Sequence, residues 1–138
     1  MNTLNQKITD QVLISTLWVF VLLNMVFRDL HQLGAPGFIE QMISGTVNGV
    51  TITDELMLIG GILAEIPIMM VLLSRILNDN FNKWANIFAG TITIAVFATA
   101  VPNADMDDIF HMVIEVAAIL WIFVIAWKLP AKNEALQN

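Results

Sequence analysis

The chain has 138 residues, of which 57% are hydrophobic and 13% are charged, and its formal net charge is −6. Its mean hydropathy of +0.74 lies well above that of soluble domains and indicates an integral membrane protein. The acidic balance argues against nucleic acid as a partner. The absence of cysteine excludes disulfides, thiolate metal sites and thiol redox chemistry.

Four apolar segments are long enough to cross a bilayer as helices, which takes about 20 residues each. They lie near residues 8–27, 54–76, 82–101 and 107–128. The segments do not alternate apolar and polar residues, as the strands of a membrane barrel would. The sequence therefore predicts an all-α membrane protein. We expect a single domain over residues 1–138, a four-helix transmembrane bundle with a long first outer loop at residues 30–53.

The predicted outer loop contains two local structure signals. After Pro36, apolar residues recur at helical spacing and predict a short helix with one apolar face: Phe38, Ile39, Met42 and Ile43. Further on, Asn48-Gly49 stands between β-branched residues, which is the common signal of a two-residue hairpin. We expect a small cap that is either an ordered interfacial loop or a lid over a pocket opening outward.

The basic residues predict the orientation of the bundle. If the four helices alternate in direction, one side of the membrane holds most of these residues: Lys7, Arg75, Lys83, Lys128 and Lys132. Only Arg28 falls on the other side. By the positive-inside rule, both termini of a multi-pass protein of the cell membrane then lie in the cytoplasm. Three tryptophans near the cytoplasmic ends are typical interface anchors: Trp84, Trp121 and Trp127.

Isolated acids stand within two of the spans, Glu65 in the second and Glu115 in the fourth. Ionisable groups at membrane depth are costly and usually face a partner, a cavity or an ion path. The helical rise places Glu65 about 15 Å and Glu115 about 12 Å below the outer helix ends. His111 lies one turn above Glu115, and Asn24 and Arg28 have the same spacing on the first span. We therefore predict these five residues as candidate ligand-binding residues.

Two other interpretations of these polar residues stay open. In a purely structural one, Arg28 pairs with Glu115 or Asp29, and Glu65 is a protonated acid that donates a hydrogen bond to a backbone carbonyl. In a metal-binding one, Glu65 joins His111 and Glu115 as a ligand, with either His31 or Asp29. The chain has only two histidines, and they do not form a two-histidine helical motif. We therefore expect no metal and no cofactor.

The predicted function is to bind or pass a small molecule or a proton through an outward-facing polar pocket between helices 1, 2 and 4. One alternative is a membrane-embedded enzyme that uses His111 and Glu115 as an acid–base pair. The sequence contains no nucleophile elbow and no phosphate-binding glycine loop, which disfavours an enzyme. Another alternative is a purely structural or interaction subunit. The expected partners are the lipid bilayer, a small-molecule ligand and a second copy of the chain.

Short motifs along residues 13–130 carry a resemblance to a known family. They are Leu17-Trp18, Asp29, Pro36-Gly37, Ile66-Pro67, Met69-Met70, Leu73-Ser74, Trp84, Asn86-Ile87, Glu115, Trp127-Lys128 and Pro130. Together they resemble small four-helix bacterial and archaeal integral membrane proteins that are catalogued as a domain of unknown function. The chain departs from that pattern at Phe27, where a tyrosine-like ring is expected. The resemblance implies the architecture and no particular reaction.

Overall fold

The computed structural model describes the backbone of residues 3–137 and the side chains of residues 8–129. In chain order, its elements are α1 (Thr3–Gln32), α2 (Phe38–Ser44), β1 (Thr46–Val47), β2 (Val50–Thr51), α3 (Asp54–Ile76), α4 (Asp79–Ala100), a 3₁₀ turn (Val101–Asn103) and α5 (Met106–Gln137). Four of these helices, α1, α3, α4 and α5, are long and apolar enough to cross a membrane. The chain is therefore an all-α, multi-pass membrane protein.

Polar side chains start three of the long helices. The side chains of Thr53 and Asn78 each accept a hydrogen bond from the backbone N–H three residues further on, at the first turns of α3 and α4. At the start of α5, Asp105 Oδ1 accepts from the backbone N–H of Asp108 at 2.9 Å, and Asp108 Oδ2 accepts from that of Asp105 at 3.3 Å. These contacts satisfy N–H groups that have no partner inside the helix.

The connection between α1 and α3 contains the predicted short helix and hairpin, which the structure confirms. Strands β1 and β2 are antiparallel, and Asn48 and Gly49 form the turn with positive φ angles of 49° and 79°. Such angles are those of the tight turns that favour Asn-Gly. The backbone N–H of Asn48 donates to Gln41 Oε1 of α2 at 2.9 Å. The hairpin is therefore fastened to the short helix before it.

The four long helices form an up-and-down bundle in which neighbours in sequence are neighbours in space. Helix α1 packs against α3 and α5, and α4 packs against the same two helices. Helices α3 and α5 are therefore diagonal to each other, as are α1 and α4. We call the end that holds α2 and the hairpin the loop end. The opposite end, which holds the α3–α4 connection, is the terminus end.

The bundle core is built mainly from α1 and α5, while α3 is the least buried of the four long helices. Trp18 of α1 and Ile119 and Ile122 of α5 are completely buried. Helix α4 approaches α5 closely at Gly90, where an added methyl group would overlap the Phe123 ring and lie 2.7 Å from Ile119 Cγ2. A larger residue at this position fits only if the Phe123 and Ile119 side chains move.

The tryptophans predicted as anchors are exposed on the bundle surface: Trp84, Trp121 and Trp127. The Lys83 ammonium lies 3.5 Å from the centroid of the Trp127 ring and 5.3 Å from that of Trp84. Cation–π contacts of this kind connect the start of α4 to α5 at the terminus end. The side chains of Lys7 and Lys132, which contribute to the predicted orientation, lie outside the described residues.

Candidate functional site

A buried ion pair joins α1 and α5 towards the loop end. Arg28 Nη1 donates to Glu115 Oε2 at 2.9 Å, and the two side chains are 13% and 0% exposed. The guanidinium carbon of Arg28 also lies 5.1 Å from the centroid of the Phe97 ring on α4. We call Arg28, Phe97 and Glu115 the charged layer. Three helices thus enclose an ion pair inside an apolar bundle, where unpaired charges are strongly disfavoured.

Glu115 has an acceptor that the ion pair does not use. Its Oε1 atom is buried and has no hydrogen-bond partner among the described residues. Asp29, the other predicted partner of Arg28, is mostly exposed, and its Oδ1 lies 4.0 Å from Arg28 Nε. Because buried polar atoms in proteins are normally hydrogen-bonded, the second oxygen of Glu115 marks a place where a ligand or a proton would be stabilised.

A polar cavity of about 210 Å³ adjoins Arg28 at the loop end. Helices α1 and α5, the hairpin turn and the chain around the end of α4 contribute its lining residues: Arg28, Asp29, Gln32, Asn48, Ala100, Asn103, Asp108 and Met112. Gln32 Nε2 donates to Asp108 Oδ2 at 3.3 Å, which connects the α1 and α5 walls. We call this space the loop-end cavity. Its lining offers both hydrogen-bond donors and acceptors to a solute.

A cluster of two histidines and an aspartate lies beside the cavity at the loop end, and we call His31, Asp107 and His111 the histidine cluster. Asp107 Oδ2 is 2.9 Å from His31 Nδ1, and its Oδ1 is 3.9 Å from His111 Nε2. One possible ligand atom from each of the three residues lies within 4.8 Å of the others. His111 Nδ1 lies 3.3 Å from Asn24 Oδ1. Of the described residues, these are the ones grouped closely enough to hold a metal ion.

The structure separates Glu65 from the other four candidate residues. Glu65 is exposed and lies along an apolar groove between α3 and α4, and it forms no hydrogen bond or ion pair with the described residues. The expected pocket between helices 1, 2 and 4 corresponds to α1, α3 and α5. The polar cavity instead lies between α1, α4 and α5. The reason is the helix order, because α3 stands diagonally opposite α5, the helix that holds Glu115.

His111 and Glu115, predicted as a possible acid–base pair, have different partners in the structure. His111 contacts Asn24 and lies near Asp107, whereas Glu115 is bonded to Arg28. The two residues are one helical turn apart, but neither is a hydrogen-bond partner of the other among the described contacts. The geometry therefore supports two separate sites at the loop end, one at the histidine cluster and one at the charged layer.

A second buried polar layer lies nearer the terminus end, and the sequence interpretation missed it. We call Trp18, Ser74, Asn82 and Asn86 the amide layer. Asn86 Oδ1 accepts from Trp18 Nε1 at 2.7 Å and from Ser74 Oγ at 3.3 Å. Asn86 Nδ2 donates to the side chain of Asn82, which donates to the Ser74 carbonyl at 2.7 Å. The i, i+4 spacing of Asn82 and Asn86 within an apolar span was the available signal.

The cavity lining also contains residues that sequence reasoning did not select as a site, namely Gln32, Asn48, Asn103 and Asp108. The Asn48-Gly49 turn was predicted, but its position against the end of α1 depends on the tertiary structure. The other three are polar residues at helix ends. Such residues are common on solvated helix ends, so the sequence alone does not mark them as part of a site. These four residues come together only when the helices pack into the bundle.

Comparisons with known proteins identify the family of the chain but no specific activity. Residues 1–135 match the model of a family described as a family of unknown function, DUF6326. No curated protein and no solved structure matches the chain. The match extends over nearly the whole sequence and agrees with the resemblance seen in its motifs and with its four apolar helices. The chain belongs to the DUF6326 family of membrane proteins of unknown function.

Proposed function

We propose that the protein binds a small polar solute in the loop-end cavity and presents this cavity to the outside of the cell membrane. The observation that carries the proposal is a polar cavity beside a buried ion pair at one end of an otherwise apolar bundle. Its volume of about 210 Å³ is smaller than the roughly 300–1,000 Å³ of pockets for drug-sized ligands. The solute is therefore small.

The charges around the cavity favour a solute that carries an ammonium group. The charge of Arg28 is matched by Glu115, so Asp29 and Asp108 leave the lining with a net negative charge. Like charges repel and opposite charges attract most strongly in partly dehydrated clefts. Amide side chains of the lining add donors and acceptors that recognise the remaining polar groups of the solute. Small organic amines and zwitterions fit this lining better than anions do.

The distribution of basic residues supports an outward-facing cavity. Among the described side chains, Arg75, Lys83 and Lys128 lie towards the terminus end, and Arg28 is the only lysine or arginine at the loop end. The positive-inside rule places the more basic end in the cytoplasm. The loop end then faces the outside, where the solute would enter the cavity from water.

Filling the cavity tests this proposal. Tag-free protein in nanodiscs of zwitterionic lipid is heated with a panel of small amines, amino acids, sugars and carboxylates. We expect amines or zwitterions to raise the melting temperature of the parent. Ala100→Leu narrows the cavity and should abolish the shift, whereas Ala95→Leu, an exposed position on the same helix, should retain it. The proposal fails if no solute stabilises the parent or if Ala100→Leu responds as the parent does.

Passage of the solute or of a proton is an extension that the unpaired oxygen of Glu115 supports, because this atom lies deeper in the bundle than the cavity. The test is uptake into liposomes by the parent, Glu115→Gln, Glu65→Gln and Glu40→Gln, an exposed acid on α2 that serves as control. We expect the largest loss for Glu115→Gln. If neither Glu115→Gln nor Glu65→Gln changes uptake, the protein binds without passing its ligand through these acids.

Self-association through α3 is a second candidate, and the exposure of Glu65 favours it. A carboxyl group at membrane depth is stabilised by a polar partner, and a second copy related by two-fold symmetry would bring an identical carboxyl group. Small exposed residues in the turn before Glu65 permit close helix contact: Gly60, Gly61 and Ala64. Ala64→Phe should reduce crosslinked dimers in liposomes, and Ala95→Phe on α4 should not. A parent that is never crosslinked excludes this candidate.

A further inference from the structure

We propose that the histidine cluster binds a divalent transition-metal ion, with zinc as the best match to its ligand atoms. His31 comes from the end of α1, and Asp107 and His111 come from the first turns of α5. Two imidazole nitrogens and one carboxylate oxygen are a common ligand set for zinc, and a water molecule completes the four positions. Nitrogen ligands disfavour Mg²⁺ and Ca²⁺, which prefer oxygen. The proposal does not depend on the loop-end cavity or its solute.

The spacing of the ligand atoms is close to that of a zinc site. Asp107 lies between the two imidazoles, with Oδ2 at 2.9 Å from His31 Nδ1 and Oδ1 at 3.9 Å from His111 Nε2. Ligand atoms about 2.1 Å from a tetrahedral zinc ion are about 3.4 Å from one another. The contact on the His111 side is about half an ångström longer than this, and the three ligand atoms lie within 4.8 Å of one another. Zinc binding therefore requires the exposed side chains of His31 and Asp107 to move so that the three ligand atoms come closer together.

The orientation of His111 provides an independent argument. Asn24 Nδ2 donates to the carbonyl of Phe20 at 2.9 Å, and this bond directs Asn24 Oδ1 towards His111 Nδ1 at 3.3 Å. An amide oxygen only accepts hydrogen bonds, so Nδ1 of His111 carries the hydrogen. In the neutral imidazole, Nε2 then presents its lone pair to the Asp107 carboxylate. Histidine ligands of metals are oriented in this way by a partner on the other ring nitrogen.

The distance between His111 Nε2 and Asp107 Oδ1 points to a cation as well. At 3.9 Å the two atoms are too far apart for a hydrogen bond. In the tautomer with the hydrogen on Nδ1, the Nε2 lone pair of His111 and the Asp107 carboxylate oxygen are both available as ligands of one cation.

The histidine cluster is accessible from water and connects two helices. The side chains of His31 and Asp107 are 62% and 44% exposed, whereas His111 is 14% exposed. An ion bound there would join the end of α1 to the start of α5. The next residues along the chain, Gln32 and Asp108, are bonded to each other and line the loop-end cavity. Metal binding would therefore also stiffen one wall of that cavity.

Direct metal binding tests the proposal. Tag-free protein in nanodiscs is stripped with a chelator, and zinc chloride is titrated by calorimetry while bound zinc is counted by mass spectrometry. We expect one zinc ion per chain. Cobalt chloride should give the visible absorption of a four-coordinate site. His31→Gln and Asp107→Asn should each weaken zinc binding by about 100-fold or more. Asn24→Ala, which removes the partner of His111, should weaken it by about 10-fold.

The control variant is Asp54→Asn, which removes an exposed acid at the loop end outside the cluster and should keep the affinity of the parent. His31 is exposed, so His31→Gln tests the site even if substitutions at His111 disturb folding. Circular dichroism checks each variant. A parent that binds no stoichiometric zinc overturns the proposal. So does an unchanged affinity in both His31→Gln and Asp107→Asn, since zinc would then lie elsewhere.

Discussion

Two buried polar layers cross the same apolar bundle, and they differ in how completely their atoms are paired. In the amide layer, every buried side-chain nitrogen and oxygen has a hydrogen-bond partner. In the charged layer, Glu115 keeps one buried oxygen without a partner among the described residues. A neutral network in which every polar atom is hydrogen-bonded holds its helices in fixed positions. A charged pair with a spare acceptor also retains the capacity to bind.

Removing the cation of the charged layer should have the largest effect on stability. Arg28→Met leaves the Glu115 carboxylate buried without its partner, and breaking a buried pair in this way costs about 3–5 kcal/mol. The measurement is unfolding by sodium dodecyl sulfate in mixed micelles. Arg75→Met is the control, because Arg75 is exposed and, among the described residues, donates to Ser15 Oγ at 3.0 Å. Equal destabilisation by the two variants would contradict a special role for the Arg28 pair.

Replacing both partners distinguishes two quantities: the stability lost when one charge is left unpaired, and the net contribution of the intact pair to stability. Arg28→Met combined with Glu115→Leu removes both charges, and such replacements of buried pairs are often neutral or stabilising. We expect the double variant to recover most of the stability lost in Arg28→Met while losing any solute binding. If it is as unstable as Arg28→Met alone, the arginine contributes mainly through its contact with Phe97.

The amide layer should respond less strongly. Asn86→Leu removes the acceptor of Trp18 Nε1 and the donor to Asn82, and leaves buried polar atoms that each cost about 1–3 kcal/mol. We expect a loss of about 2–3 kcal/mol in the same unfolding measurement, without an effect on solute binding. Asn80→Leu, an exposed position on the same helix, should stay within about 0.5 kcal/mol of the parent. Loss of solute binding in Asn86→Leu would show that the layers are not independent.

The smallest expected effect is at Gly90, which lies between the two layers on α4. Gly90→Ala pushes against Phe123 and Ile119, and overpacking of this kind costs about 1–3 kcal/mol. Alanine recovers about 1 kcal/mol through its higher helix propensity. We expect a net loss of about 1 kcal/mol, and no loss in Gly60→Ala, where the added methyl group meets open space. Equal behaviour of the two variants would argue against the close approach of α4 and α5.

Much of the fold was predictable because its signals are local. Length and hydropathy identify the four long helices, and the Asn-Gly dipeptide and the spacing of apolar residues identify the hairpin and α2. Helix α1 continues past the predicted end at residue 27 to Gln32. The sequence interpretation ended the span at the charged Arg28-Asp29 pair. In the structure Arg28 lies inside the helix, and its charge is paired with that of Glu115.

The face that each helix turns inward was much harder to predict, as Glu65 and Glu115 show. Both are single acids in apolar spans, yet Glu115 is buried and Glu65 is exposed. Lipid tails are as apolar as the bundle core, so hydrophobicity does not distinguish the two faces of a membrane helix. Depth in the membrane could be calculated from the helical rise for Glu65 and Glu115. Glu115 was also one of the two partners predicted for Arg28, and the structure shows that pair. The direction of Glu65 depends on how α3 packs.

The hairpin and α2 have a consequence for the order of assembly. The hydrogen bonds from Asn48 to Gln41 and from Ile52 to the Gly45 carbonyl close within one short stretch of chain. Loops this local form within microseconds and need no contact between distant segments. The contacts within the connection between α1 and α3 can therefore close and reopen quickly. A seven-residue helix and two-residue strands are marginal alone, so their lasting order depends on the bundle. The wall that Asn48 contributes to the cavity then becomes fixed only when the long helices pack.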